Sequence, residues 1–271
     1  MNNIFIITWF TLREAFSRKV FLFFFAISTF LLLLLFISST GNVKIFIGTN
    51  SSGSNFSSDF FVSKLELGMT SILAWWCIIL SIFSTSSFIP IMLEKGNIDL
   101  LLSKPVSREQ LLLGKYFGGL LVVFLNIAYI VLGIWLIISI KFAMWNFAFL
   151  WAIVFFTFSF GILYSIIILS GVITKSSILG MMLAFLVYTI LSPAVYFLYN
   201  NLDLIGVSNS IKILVKIFYY IIPQTSVIDN YLLNNLVLGL PVVSYQPIYV
   251  SLGFIILTMG IALSIFKKKD F

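Results

Sequence analysis

The sequence predicts an all-α polytopic membrane protein, and a few observations carry that reading. Hydrophobic residues make up 61% of the 271-residue chain and the mean hydropathy is +1.14. Several windows of about 20 residues, the length at which a helix crosses a hydrocarbon core, hold no charge at all. The apolar runs are continuous, as from Phe21 to Ile37, where a membrane barrel would alternate at period two and a soluble domain would need far more polar surface. The excess of 16 Lys and Arg over 9 Asp and Glu is distributed as a membrane-orientation signal and not as a nucleic-acid footprint.

Six transmembrane helices are expected, over residues 20–39, 67–93, 116–140, 142–172, 176–200 and 247–266, in one transmembrane domain covering 1–271. The first is preceded by a helix with an apolar body and charges at one end (Arg13, Glu14, Arg18, Lys19), which suits an interfacial helix or an extended first span. The run that follows is too long for a signal core and lacks an Ala-x-Ala site, so it reads as a retained span. The Ser-, Asn- and Gly-rich stretch 41–58 reads as an outer loop. Its Asn50-Ser51-Ser52 and Asn55-Phe56-Ser57 tripeptides match a glycosylation pattern that such a composition produces by chance. The second span carries Ser81, Ser84, Thr85, Ser86 and Ser87, whose hydroxyls bond back to their own helix or to a neighbour. Its Cys77 is the chain's single cysteine, so no internal disulfide forms, and a small buried apolar role is expected. Trp75 and Trp76 read as packing or interface aromatics.

The third and fourth spans are separated only by Lys141 and the Trp145-Asn146 pair, which predicts a tight helical hairpin. Between spans five and six, residues 201–246 predict short outer-leaflet helices, either re-entrant or surface-bound. The first places Lys212, Lys216 and Tyr220 in one stripe and ends at Pro223; the second covers Tyr231 to Leu240. With both termini cytoplasmic, Arg13, Arg18, Lys19, Lys95, Lys104, Arg108, Lys115, Lys175 and Lys267 to Lys269 lie inside, against Lys44, Lys64, Lys141, Lys212 and Lys216 outside. This is the asymmetry of the positive-inside rule.

As drawn, no span contains Asp, Glu, Lys or Arg, and the chain has no His. Ion-coupled carriers and intramembrane proteases need such groups within the membrane. No catalytic, cofactor-binding or metal-binding residue is therefore assigned. A lipid-modifying enzyme would have to be built from scattered groups such as Asp203, Asp229 and Tyr231.

Charge concentrates instead between spans two and three, in E-K-G-N-I-D-L-L-L-S-K-P-V-S-R-E-Q-L-L-L-G-K, residues 94–115. Asn97 is placed to cap a short helix with Asp99 in its first turn and an apolar surface of Ile98, Leu100, Leu101 and Leu102. That helix stops near Lys104, because the residue before Pro105 is pushed out of helix. Ser107 and Gln110 then form a capping-box pattern, with Val106 and Leu111 at the hydrophobic-staple positions. A rigid helix across the cytoplasmic ends of two spans is a lever that a soluble partner can push.

This segment resembles the signature loop of the ABC-2 type membrane permeases, the channel-forming subunits of one class of ABC transporter. Glu94-Lys95-Gly96, Asp99 to Leu102, Ser103-Lys104-Pro105-Val106-Ser107-Arg108 and Leu113-Gly114-Lys115 match its parts in order. The resemblance implies a permease that pairs with a second copy or close paralogue in the bacterial cytoplasmic membrane and exports substrate. A separate ABC ATP-binding subunit would supply the power and bind ATP and Mg. It assigns coupling to that subunit to Glu94, Lys95, Gly96, Ile98, Asp99, Leu100, Leu101, Leu102, Ser103, Lys104, Pro105, Arg108 and Lys115. No G-x-x-x-x-G-K-[ST] loop is present, so ATP hydrolysis falls to the partner. A membrane scaffold for an ATPase that drives a cell-surface machine is the alternative. Substrate-binding residues are not legible.

Overall fold

In a computed structural model, residues 2–17, 19–40, 58–94, 96–97, 106–202, 209–242 and 244–269 are described, and among them all regular structure is helical. Five helices there are long and apolar enough to cross a membrane, with Phe24–Ile37 a shorter apolar stretch. The outer loop 41–57, residues 98–105 of the island, Lys95 and Asp203 lie outside the described residues.

α1 (Asn2–Ser17) and α2 (Lys19–Thr40) run along α5 (Arg108–Phe142), the longest helix. The side chain of Asn3 meets Gln110 at 3.3 Å, Ile7 lies over Gly114 and Thr11 over Gly118, so both helices advance four residues at a time in the same direction. Higher up, Ser28 bonds Asn126 at 3.2 Å and Leu32 covers Gly133. Small residues at this spacing let two helix backbones approach closely, the usual basis of helix pairing where lipid removes the hydrophobic drive. α1 therefore has a dedicated seat on the first turns of α5.

α3 (Ser58–Thr85) starts earlier than the hydropathy suggests and stops at Ser86-Ser87, after which α4 (Phe88–Met92) continues. The predicted second span is thus interrupted, and Pro90 explains it: proline donates no N–H and its ring crowds the carbonyl four residues back, at Ser86. The hydroxyls of Ser81, Thr85 and Ser86 bond back to carbonyls of their own helix, as expected. Cys77 is buried and unoxidised.

The hairpin between spans three and four is present. α5 ends at Ala143, which takes a left-handed φ of 55°, and a short 3₁₀ turn, Phe147–Leu150, leads into α6 (Trp151–Thr174). The two helices interlock through reciprocal bonds: Tyr116 donates to the Gly161 carbonyl at 3.2 Å and Tyr164 to the Lys115 carbonyl at 3.3 Å. Their rings stack 5.8 Å apart, and Gly119 leaves room for the Tyr164 ring, which a Cβ there would meet at 2.5 Å.

α7 (Ser177–Leu186) passes through a π turn, Val187–Leu191, into α8 (Ser192–Asn200). Pro193, at the start of α8, cannot complete the α-helical ladder, and the wider π turn just before it absorbs the missing bond. The outer segment has two arms. α9 (Asn209–Ile221) ends before Pro223 as predicted and exposes most of its side chains, with Tyr219 buried against Tyr199 at 3.9 Å between ring centroids. The second arm begins earlier than Tyr231: a π turn, Val227–Leu232, leads to α10 (Leu233–Val237), and it is buried in the bundle against α6. Thus α9 is largely exposed, whereas the second arm is packed among the helices. α11 (Gln246–Lys268) closes the chain on α6.

Candidate functional site

At one end of the bundle the chain makes a tight turn after α4. The amide of Asn97 bonds the Glu94 carbonyl at 3.1 Å, Gly96 takes a φ of +93°, and Asn97 Nδ2 bonds back to the Ile91 carbonyl at 3.0 Å. A φ in that region is natural to glycine and strained for other residues, which accounts for the Glu-Lys-Gly order. Asn97 thus ties the turn to the helix behind it. The helix expected ahead of it lies outside the described residues, with Ile98, Asp99, Leu100, Leu101, Leu102, Ser103, Lys104 and Pro105.

The loop re-enters at Val106. Ser107 Oγ accepts from the Gln110 amide and Gln110 Oε1 accepts from the Ser107 amide, both at 3.2 Å, completing the capping box. Leu111 is buried in the core with Val106 packed against it. α5 has 35 residues, about 52 Å at 1.5 Å per residue, against a hydrocarbon core of about 30 Å. Its first turns therefore have length to spare for contacts beyond a bilayer.

Those turns hold the ends of two other helices. Arg108 Nη1 donates to the carbonyls of Lys269 at 2.6 Å, Lys267 at 3.1 Å and Phe266 at 3.4 Å, the closing residues of α11. Lys269 in turn reaches the carbonyls of Val172 at 2.6 Å and Ile173 at 3.2 Å at the end of α6. Glu109 pairs with Lys267 across the same surface. A cation on the last carbonyls of a helix satisfies acceptors that have no partner within it and meets the negative end of its dipole. Burial, and then the like charge of Lys175, lower the Lys269 ammonium from its ordinary range.

Lys115 faces inward instead. Its ammonium is buried, bonds Glu14 of α1 at 2.6 Å and lies 5.9 Å from the Phe10 ring centre. A cavity of about 150 Å³ beside it is lined by Asn3, Ile6, Ile7, Phe10, Val106, Leu111 and Lys115. The structure thus gathers Glu94, Gly96 and Arg108 at one end of the bundle and sets Lys115 deeper, on α1. Sequence reading missed Glu14 and Lys269 as partners. The signals were a lone acid in a basic first helix and the closing Lys-Lys-Lys.

The opposite end is organised by Asn146 in the hairpin turn. Its Nδ2 lies 3.3 Å from Ser63 Oγ, 3.1 Å from Glu66 Oε2 and 3.5 Å from the Val237 carbonyl, while Trp135 Nε1 donates to its backbone oxygen at 3.0 Å. Burial pushes the Glu66 carboxyl up to about 7 against the opposing bond from Asn146.

The arrangement is a connection between helix ends. Arg108 ties the start of α5 to the end of α11, and Lys269 ties that end to α6. No curated protein matches the chain. Comparison with known protein families matches residues 6–271 to the family described as ABC-2 family transporter protein, nearly the whole length over which these helices pack. The chain accordingly belongs to the ABC-2 family, as a membrane-embedded transporter component.

Proposed function

We propose that this chain is the permease subunit of an ABC exporter, with a separate ATP-binding subunit docked on residues 94–115. The observation that carries the reading is the position of Arg108. It stands where the island loop re-enters α5 and holds the closing carbonyls of α11, so a force on the loop reaches several helices at once. Family membership supports the ATP-binding partner. In this reading Ile98, Asp99, Leu100, Leu101, Leu102 and Ser103 form the coupling helix, whose leucines pack into the partner. Glu94 and Asp99 supply charges that set its register. ATP and Mg belong to the partner, two permease chains (identical or close paralogues) enclose the path, and the complex sits in a bacterial cytoplasmic membrane with both termini inside.

The test combines Asp99→Ala with Leu101→Ala in the full chain. Expected is loss of co-purification with the ATP-binding subunit and of transport-coupled hydrolysis, while the permease still inserts. Retention of both would remove the coupling assignment. Association and hydrolysis without solute movement in reconstituted vesicles would favour the scaffold over the exporter.

A further inference from the structure

The acid that sequence reading left among scattered outer residues has a defined seat. Asp229 lies in the second arm of the outer segment, and its side chain is buried. Ser159 of α6 donates to its Oδ1 at 2.6 Å, and Tyr188 donates to its Oδ2 at 3.5 Å. Hence a carboxyl group does reach the interior of the bundle, carried there by a segment outside the spans.

Among the described residues, no positive group faces it. α6 presents Ser159, and the α7–α8 helix presents Tyr188, with Cys77 of α3 beyond the phenol. α10 carries no titratable residue, α11 has none between Tyr249 and Lys267, and Tyr231 is the other titratable group on its own turn. Two neutral hydrogen bonds offset only part of the cost of a buried carboxylate, and burial pushes the group up to about 8.

The arm around it is packed into the bundle, with Ile228 and Leu232 buried against Ile162 of α6. Besides Asp229, polar contacts on the arm include the Ser226 amide on Ser192 Oγ at 3.0 Å, the Gln224 amide on Ser251 Oγ at 3.3 Å and the Val237 carbonyl 3.5 Å from Asn146 Nδ2. Thr225 Oγ1 and Gln224 Oε1 are buried without a hydrogen-bond partner, so the seat is not fully satisfied. Asp229 and Tyr188 each lie on a π turn, the irregularity that gives a helix room to shift register. The first arm, α9, is largely exposed and meets the second through Gln224 Nε2, which donates to the Tyr219 carbonyl at 2.8 Å.

We infer that Asp229 is a proton-binding site that controls the outer segment: the protonated acid seats the second arm in the bundle, and loss of the proton to outer water unseats it. An ionised carboxylate with no cation facing it regains hydration by moving outward, and the arm it belongs to moves with it. The ligand is the proton itself, and the inference stands apart from whichever subunit powers the chain.

The experiment uses the full chain in lipid nanodiscs with Cys77→Ser. Infrared difference spectra of wild type against Asp229→Asn read the C=O stretch of a protonated carboxylic acid. Spin labels at Leu240→Cys and Trp151→Cys read the distance from the arm to the start of α6. Expected is a band present at pH 6, lost with a midpoint near 8, and a longer-distance population that grows over the same interval. Asp229→Asn holds the seated distance throughout. Absence of the band at pH 6, or a pH-driven shift that survives in Asp229→Asn, would overturn the inference. Should that variant fail to fold, Ser159→Ala keeps the question decidable. Removing a donor to the ionised form raises both midpoints by about half a pH unit or more, and unmoved midpoints would sink the proposal.

Discussion

Gly118 sets how closely α1 lies on α5. A Cβ at that position would stand 2.5 Å from Thr11 Cβ, an atom fixed directly to the opposing backbone, so the helices themselves must separate. Gly114 has the same relation to Ile7, at 2.6 Å. Gly118→Val is expected to lower stability by about 1–3 kcal/mol, the range for overpacking a tight contact, seen as a lower thermal midpoint in detergent. Gly253→Val is the control: a Cβ there meets nothing within 4 Å, and its midpoint should move by no more than about 0.5 kcal/mol. The same contact explains why Lys115 can be buried. With α1 this close, Glu14 supplies the charge that a buried ammonium requires. The Gly114-Lys115 dipeptide was legible as a motif, but its local meaning was not, because the partner lies 101 residues away.

Among the helices, the ends carry more information than the middles. The start of α5 could be read from Ser107 and Gln110 alone, since a capping box is a contact between residues three apart. The end of α9 could be read from Pro223 for the same reason. The break at Ser86-Ser87 and the two π turns were not read, although Pro90 and Pro193 stood in the sequence. Hydropathy averages over a window and does not register a local change of pitch. The end of α11 was also invisible, because its cap is Arg108, 158 to 161 residues earlier. Arg108→Ala should free those carbonyls and let the last turn fray. The check is amide exchange of residues 264–268 in the intact protein, expected to quicken about fivefold for a loss on the order of 1 kcal/mol. Glu109→Ala removes only an exposed pair and should change exchange far less.

For the molecule as a whole, the two ends of the bundle are chemically distinct. One gathers Arg108, Glu109, Lys267 and Lys269, and the other gathers Ser63, Glu66 and Asn146 around the hairpin turn. We propose from the positive-inside rule that the first faces the cytoplasm. Cysteine labelling in intact cells with an impermeant maleimide, in a Cys77→Ser background, tests this directly. Trp145→Cys should react without permeabilisation and Lys268→Cys only after it. The reverse order would invert the topology. Helix class and five long apolar helices were legible because each depends on composition within about 20 residues. The burial of Asp229 was not, since packing of the second arm against α6 and the α7–α8 helix creates it.

The parallel seat of α1 on α5 also governs how the protein comes into being. Asn3, Ile7 and Thr11 are synthesised more than 100 residues before Gln110, Gly114 and Gly118. At about 5–20 residues per second, the leading helix waits on the order of ten seconds with its groove-filling face uncovered. During that interval Lys115, which Glu14 pairs with in the folded chain, has not been made. The first helical pair thus stays open while the 107 residues between the partners are made, about two-fifths of the chain, and closes only when the third span arrives, which makes α5 the template on which the earliest part of the chain is packed.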